Sequence, residues 1–127
     1  MVYVLKKHLN SYRRSQLTIN ILFVCSKNQW RSPTAEAIYR EDPRFQVRSA
    51  GINSSARRKI NEKGLIWADL VLVMENKHKK AILARYRNLD LPDILVLDIP
   101  DDYQYMSEEL IAIIQETTET IIASWNT

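Results

Sequence analysis

Short apolar runs divide the chain into alternating segments. Runs rich in β-branched and apolar residues predict four β-strands, at residues 20–24, 45–50, 70–74 and 93–98. Polar stretches with helical spacing of their apolar residues lie between and after these runs. Because strands and helices alternate, we predict a three-layer α/β fold with a four-stranded parallel sheet and helices on both faces. Functional residues are then expected beyond the carboxyl ends of the strands.

Apolar spacing and capping residues predict four helices, at residues 32–41, 53–67, 77–86 and 107–125. The second is expected to begin at Ser54 or Ser55, and the last has Ser107 as a cap, followed by acidic residues that favour a helix start. His78 falls in the first turn of the third helix, within a run of lysines. We interpret it as a surface residue without a catalytic role.

Length and composition indicate one ordinary globular domain. The chain has 127 residues, of which 46% are hydrophobic and 26% charged. We predict a basic N-terminal extension over residues 1–18, either a simple arm or one that recruits an acidic partner, and a single domain over residues 19–127. No apolar run approaches the ~18 residues that span a bilayer, and no signal-peptide pattern is visible, so we expect no membrane partner. The net charge of +3 favours anions slightly, and we expect no nucleic acid partner.

Cys25 is the single cysteine of the chain, which excludes an internal disulfide. A lone thiol fits a reducing compartment, so we expect a cytoplasmic protein.

The segment after the first strand combines this cysteine with an anion site. Ser32 is a good N-cap and Pro33 fits the first helical position, so the stretch from Cys25 to Arg31 is predicted to lie at a helix N-terminus. Free backbone N–H groups and the helix dipole favour anions there, and together with Arg31 they favour the thiolate form of a cysteine. A thiolate that faces an oxyanion bound by a guanidinium can accept a phosphoryl group.

The chain resembles the low-molecular-weight protein tyrosine phosphatases in several segments. The residues that carry the resemblance are Cys25-x5-Arg31-Ser32-Pro33 with Asn28 inside it, Ala35-Glu36-Ala37, Ser49-Ala50-Gly51, and Ala68-Asp69-Leu70 with Met74. The resemblance implies a phosphatase that hydrolyses phosphate monoesters, with phosphotyrosine in proteins or small aryl phosphates as substrates. It also implies a cysteinyl-phosphate intermediate, binding of inorganic phosphate and other oxyanions, and no requirement for a cofactor or metal.

The resemblance assigns the catalytic positions. Cys25 is the nucleophile, Arg31 binds and stabilises the phosphoryl group, and alignment on Pro100 gives Asp101 as the general acid. Asp102 replaces the proline of the family and remains open as the acid. The resemblance and the residue types together assign phosphate binding or loop support to Ser26, Lys27, Asn28, Gln29, Trp30, Ser32 and Ser49. Tyr103 and Tyr105 are expected to flank the substrate, unless one of them packs against the core.

The sequence departs from the family between Gly51 and the third strand, where it is shortened to one predicted helix and lacks a histidine that supports the loop. The common loop glycine is Lys27, and the second loop cysteine is Trp30. Glu75 stands where the family has an aspartate. Without a loop partner for a disulfide, Cys25 is expected to oxidise to a sulfenic acid or a sulfenamide.

Three alternative functions are weighed against an active phosphatase. Thioredoxin-coupled arsenate reductases need further cysteines, which this chain lacks. A phosphocarrier domain must keep its phosphocysteine, which an acid and an arginine would work against. The third alternative is a catalytically weak relative that acts as a phosphoprotein- or anion-binding module. The physiological substrate and the oligomeric state stay open.

Overall fold

A computed structural model describes residues 18–125, so residues 1–17 of the predicted extension lie outside the described part of the chain. The strands are β1 (Ile19–Cys25), β2 (Phe45–Gly51), β3 (Leu70–Val73) and β4 (Asp93–Val96). The helices are α1 (Arg31–Tyr39), α2 (Glu62–Trp67), α3 (Asn76–Arg85) and α4 (Glu108–Ser124). Within residues 18–125, no helix is long and apolar enough to cross a membrane.

The four strands form one parallel sheet in the order β2-β1-β3-β4. The central strand β1 pairs with both β2 and β3, and Cys25 at its end lies opposite Gly51. The predicted α/β fold is therefore confirmed. Because all strands point the same way, their carboxyl ends meet at one edge of the sheet, where Cys25 and Gly51 lie together.

Alternate residues of β1 contribute to two hydrophobic cores, one on each face of the sheet. Ile21, Phe23 and Cys25 pack with α1 and α4 on the first face. Leu22 and Val24 pack with α2 and α3 on the other face. Burial on both faces explains why β1 is a continuous apolar run rather than an alternating one.

Two predicted helix starts are wrong. Helix α1 begins at Arg31 with Trp30 at the N-cap position, so Ser32 lies inside the helix and does not cap it. The second helix is confined to Glu62–Trp67, where the Asn61 side chain accepts a hydrogen bond from the Gly64 N–H. Residues 52–61 are therefore not helical as predicted. Several backbone N–H groups of this segment bond elsewhere, to carbonyls at the end of β1 and beyond it, and so are not available to a helix.

Candidate active site

The Cys25 loop, residues 25–31, is held to the segment after β2 by hydrogen bonds to its first four carbonyl groups. The carbonyls of Cys25, Ser26 and Lys27 accept hydrogen bonds from the backbone N–H groups of residues 52, 53 and 57, and the Asn28 carbonyl accepts one from Arg57 Nε. In the described part of the chain, no backbone N–H from residue 26 to residue 30 donates a hydrogen bond to another group. Free amides beside the start of a helix form a concave site for anions.

Asn28 gives this loop its turn. It is fully buried with a φ of 55°, the left-handed conformation that asparagine tolerates. Its Nδ2 donates hydrogen bonds of 2.9 Å to both Ser32 Oγ and Ser49 Oγ. The asparagine therefore connects the loop to α1 and to the end of β2.

Ser32 directs its hydroxyl toward the cysteine. Its Oγ lies 2.9 Å from Cys25 Sγ and 3.3 Å from the Ala50 carbonyl. Ser32 Oγ accepts from Asn28, so its single proton can go to either of two acceptors, the sulfur or the more distant Ala50 carbonyl.

Glu36 continues the same network into α1. Ser49 Oγ donates to Glu36 Oε1 at 2.5 Å, and Glu36 Oε2 lies 3.6 Å from Arg58 Nη1. Glu36 thereby fixes the Ser49 hydroxyl so that it accepts from Asn28. Sequence reasoning quoted Glu36 within a motif but gave it no function, and it gave Arg57 none either. Neither role has a local sequence signal, since each depends on a tertiary contact.

The guanidinium of Arg31 is buried beside the Cys25 loop. Its side chain is 1% exposed, and Nη1 donates to Glu75 Oε1 at 2.6 Å and to the Ile99 carbonyl at 2.8 Å. Its Nε is buried, donates no hydrogen bond to the described residues, and lies 3.5 Å from Asp101 Oδ1. A buried N–H without an acceptor is uncommon in proteins, so this group is available to an anion.

Glu75 orients Arg31. Burial raises the pKa of the Glu75 carboxyl, but the hydrogen bond and charge of Arg31 outweigh it, and the pKa lies below its ordinary value. The pair is thus ionised at neutral pH. Glu75 also occupies the N-cap position of α3, in a capping box with His78.

His78 is buried, at 2% exposure, so its interpretation as a surface residue is wrong. Its Nδ1 accepts a hydrogen bond of 3.0 Å from the Glu75 N–H. The proton of the neutral ring is therefore on Nε2, which lies 2.9 Å from Ser26 Oγ. A histidine does support the Cys25 loop after all, but from α3, beyond the shortened segment in which the sequence lacks one.

Burial, and next the Arg31 charge, lower the pKa of His78 from 6.5 to about 4. Between these values the unfolded chain binds a proton that the folded chain does not, so stability falls as the pH falls. We expect the free energy of unfolding to fall in the unchanged chain when the pH is lowered from about 7 to about 5. This fall should be about 2 kcal/mol larger than the fall in His78→Gln. Urea titrations at both pH values measure this. Equal losses of unfolding free energy in the two proteins would contradict the lowered pKa of His78.

Two adjoining cavities flank the Cys25 loop. The smaller, of about 130 Å³, is lined by Cys25, Ser26, Lys27, Gln29, Trp30, Arg31 and Asp101. The larger, of about 460 Å³, shares Gln29 and Trp30 with it and includes Tyr105. Tyr103 is partly buried and packs against the core, and it lines neither cavity. Asp102 is exposed and also lines neither of them.

Gly51 allows the close approach of the Cys25 loop to β2. A Cβ at this position would lie 2.6 Å from Ala56 Cβ, 2.7 Å from the Ser26 carbonyl oxygen and 2.9 Å from the Asn28 nitrogen. Two of these atoms are backbone, so the loop itself would have to shift.

We expect Gly51→Ala to destabilise the fold by about 1–3 kcal/mol and to weaken phosphate binding at least ~10-fold, because overpacking displaces the loop amides. Gly64→Ala is the matched control. Its Cβ meets only Asn61 Oδ1 at 3.5 Å and Leu22 Cδ2 at 3.8 Å, and alanine favours a helix. Urea unfolding and phosphate titration measure both effects. Equal stability and phosphate binding in Gly51→Ala and Gly64→Ala would refute the steric argument.

Comparison with known proteins agrees with this geometry. Residues 20–65 match the family described as low molecular weight phosphotyrosine protein phosphatase. The matched segment includes β1, the Cys25 loop, α1 and β2. It therefore contains the cysteine, the arginine and the hydrogen-bond network that joins them to β2.

Two relatives are similar in sequence. The protein-arginine-phosphatase of Bacillus subtilis strain 168 is 32% identical over 95 residues, which cover 54% of this chain and 63% of that protein. The chain thus spans less than two thirds of this relative. The low molecular weight protein-tyrosine-phosphatase Ptp of Acinetobacter johnsonii is 29% identical over 138 aligned positions, which cover 84% of this chain and 94% of that protein.

A solved structure of a low molecular weight protein tyrosine phosphatase from Streptococcus pyogenes superposes with a TM-score of 0.71. The match covers 87% of this chain and 95% of that chain, with 14% identity. At this identity the likeness establishes the α/β fold, while the chemistry depends on the residues of the site.

Proposed function

We propose that the chain is a divergent member of the low-molecular-weight protein tyrosine phosphatase family and that it hydrolyses phosphate monoesters through a cysteinyl-phosphate intermediate. Phosphotyrosine or another aryl phosphate is the proposed substrate. One observation carries the proposal: the smaller cavity brings together Cys25, the Asp101 carboxyl and the Nε of Arg31, which makes no hydrogen bond to the described residues.

In the first step, Cys25 Sγ attacks phosphorus, an S–P bond forms and the P–O bond to the leaving group breaks. Arg31 Nε and the free amides of residues 26–30 stabilise the charge on the phosphoryl oxygens. Asp101 gives its proton to the leaving oxygen. Its place in the lining of the smaller cavity supports Asp101 over Asp102 in this role.

In the second step, water attacks the phosphocysteine while Asp101, now a carboxylate, accepts a proton from it. The S–P bond breaks and inorganic phosphate leaves. Ser32, 2.9 Å from the sulfur, stabilises the thiolate that departs. Glu75 and His78 take no part in bond making, since they act by positioning Arg31 and Ser26.

The proposal is tested by hydrolysis of p-nitrophenyl phosphate, a phosphotyrosine peptide and a phosphoarginine peptide, with Cys25→Ser beside the unchanged chain. Turnover of the first two that disappears in Cys25→Ser supports it. The third substrate is included because one relative is named an arginine phosphatase. Preference for it by more than ~10-fold would replace the aryl substrate. Phosphate binding without turnover of any substrate would leave an anion-binding module instead.

A further inference from the structure

The larger of the two cavities is lined by exposed aromatic side chains and lies beside the cavity at Cys25. This cleft, of about 460 Å³, adjoins the cavity at Cys25 along Gln29 and Trp30. Two aromatic side chains in its lining are well exposed, Trp30 at 42% and Tyr105 at 51%. The hydrogen bond from the Met106 N–H to Thr34 Oγ1 fastens the segment that carries Tyr105 to α1. A ligand held at Cys25 can therefore extend over Trp30 into a preformed cleft.

Three arginines line this cleft and give it a positive charge: Arg40, Arg57 and Arg58. Pro33 and Glu36 of α1 also line it, and Arg40 directly follows that helix. Among the described residues that line the cleft, Glu36 is the only carboxylate, and its two oxygens are engaged by Ser49 and Arg58. Arg40 and Arg58 are exposed and present planar donors that suit carboxylates.

The two cavities at Cys25 differ in charge. Among the described residues, the small cavity is lined by Asp101 together with Lys27 and Arg31, whereas the cleft is lined by three guanidinium groups and by Glu36, which is already paired. A nucleic acid strand would place several phosphates around the reacting group, and any phosphate close to Asp101 would be repelled. The net charge of +3 is also too small to favour a polyanion. A chain with acidic groups on one side of its phosphate fits better.

We propose that the arginine cleft, formed by Arg40, Arg57 and Arg58, binds acidic side chains that flank the phosphorylated residue, so that the preferred substrates are phosphoproteins with a one-sided acidic sequence. This inference rests on the proposed function, because it takes the phosphoryl group to lie at Cys25. Trp30 and Tyr105 supply apolar surface for the peptide chain between the two sites.

The test compares phosphotyrosine peptides with two glutamates before the phosphotyrosine, two glutamates after it, or glutamines at both places. We expect kcat/KM to be about 3- to 10-fold higher for one of the acidic peptides, mainly through KM, because exposed ion pairs each contribute modestly. Added salt should reduce the preference. Equal kcat/KM for all three peptides would overturn the proposal.

Arg40→Gln with Arg58→Gln should bring the preference below about twofold. Lys80→Gln with Arg87→Gln removes the same charge from exposed residues that line neither cavity, and should leave the preference intact. A preference that survives in the first double variant, or falls equally in both, would contradict the cleft assignment. Stronger inhibition by a 5′-phosphorylated oligonucleotide than by the acidic peptide would also contradict it.

Calorimetry with Cys25→Ser separates this inference from the proposed function. We expect this variant to bind the preferred acidic peptide about 3- to 10-fold more tightly than the glutamine peptide. If the unchanged chain lacks turnover and this difference in affinity persists, the cleft assignment stands while the phosphatase proposal fails. If turnover is present and the two peptides bind with equal affinity, the phosphatase proposal stands while the cleft assignment fails.

Discussion

Arg31→Lys is expected to lower kcat/KM for p-nitrophenyl phosphate by about 100- to 1000-fold, as loss of a preorganised donor to a transition-state oxygen does. Lysine keeps the positive charge but has only one side-chain nitrogen. In arginine, Nη1 donates to Glu75 and to the Ile99 carbonyl while Nε stays available to the phosphoryl group, and one nitrogen cannot do both. Steady-state kinetics measure the loss, and urea unfolding shows how much of it follows from reduced stability.

Arg44→Lys is the matched control for Arg31→Lys. Arg44 also pairs with two acidic residues, Asp42 and Glu119, but it is half-exposed and lines neither cavity beside Cys25. We expect kcat/KM to change by less than about twofold in this variant, since exposed ion pairs contribute little to stability. Similar activity losses in both variants would mean that Arg31 acts through the fold and not through the phosphoryl group.

Asp101→Asn is expected to lower kcat/KM, which reports the first step, about 100- to 10,000-fold for phenyl phosphate, the range of general acid catalysis. The loss should be smaller for p-nitrophenyl phosphate, because nitrophenolate departs without needing a proton. This dependence on the leaving group is what a purely structural role of Asp101 would not produce.

Asp102→Asn changes the neighbouring carboxyl in the same way. Its side chain lines neither cavity, so we expect less than about a threefold change with either substrate. A large, leaving-group-dependent loss in Asp102→Asn together with near-normal Asp101→Asn would move the acid by one residue.

The fold and the centre of the site follow from local sequence signals. Continuous apolar runs predict the buried strands, and the order of strands and helices predicts a parallel sheet. Asparagine is one of the few residues that adopt a left-handed conformation readily, and Asn28 in the Cys25 loop has a φ of 55°. These features depend on short-range chemistry that is visible in one segment at a time.

The remaining features depend on contacts between distant segments. His78 has the sequence surroundings of a surface residue, yet it is buried by its contact with Ser26, 52 positions away. Residues 53–61 have helical spacing, but the N–H groups of residues 53 and 57 bond to the Cys25 loop instead. Ser32 has the residue type of an N-cap, and the cysteine and Asn28 take its hydroxyl. In each case a tertiary hydrogen bond overrides a local preference.

The central claim is that Cys25 carries the phosphoryl group during turnover. The most direct measurement mixes p-nitrophenyl phosphate with Asp101→Asn, stops the reaction with denaturant within its first turnovers, and locates phosphate by mass spectrometry of peptides. Because Asp101 also acts as the base in the second step, this variant should accumulate the intermediate. We predict phosphate on the peptide that contains Cys25 and none in the double variant with Cys25→Ser. Phosphate on another residue, or turnover that persists without Cys25, would contradict the mechanism.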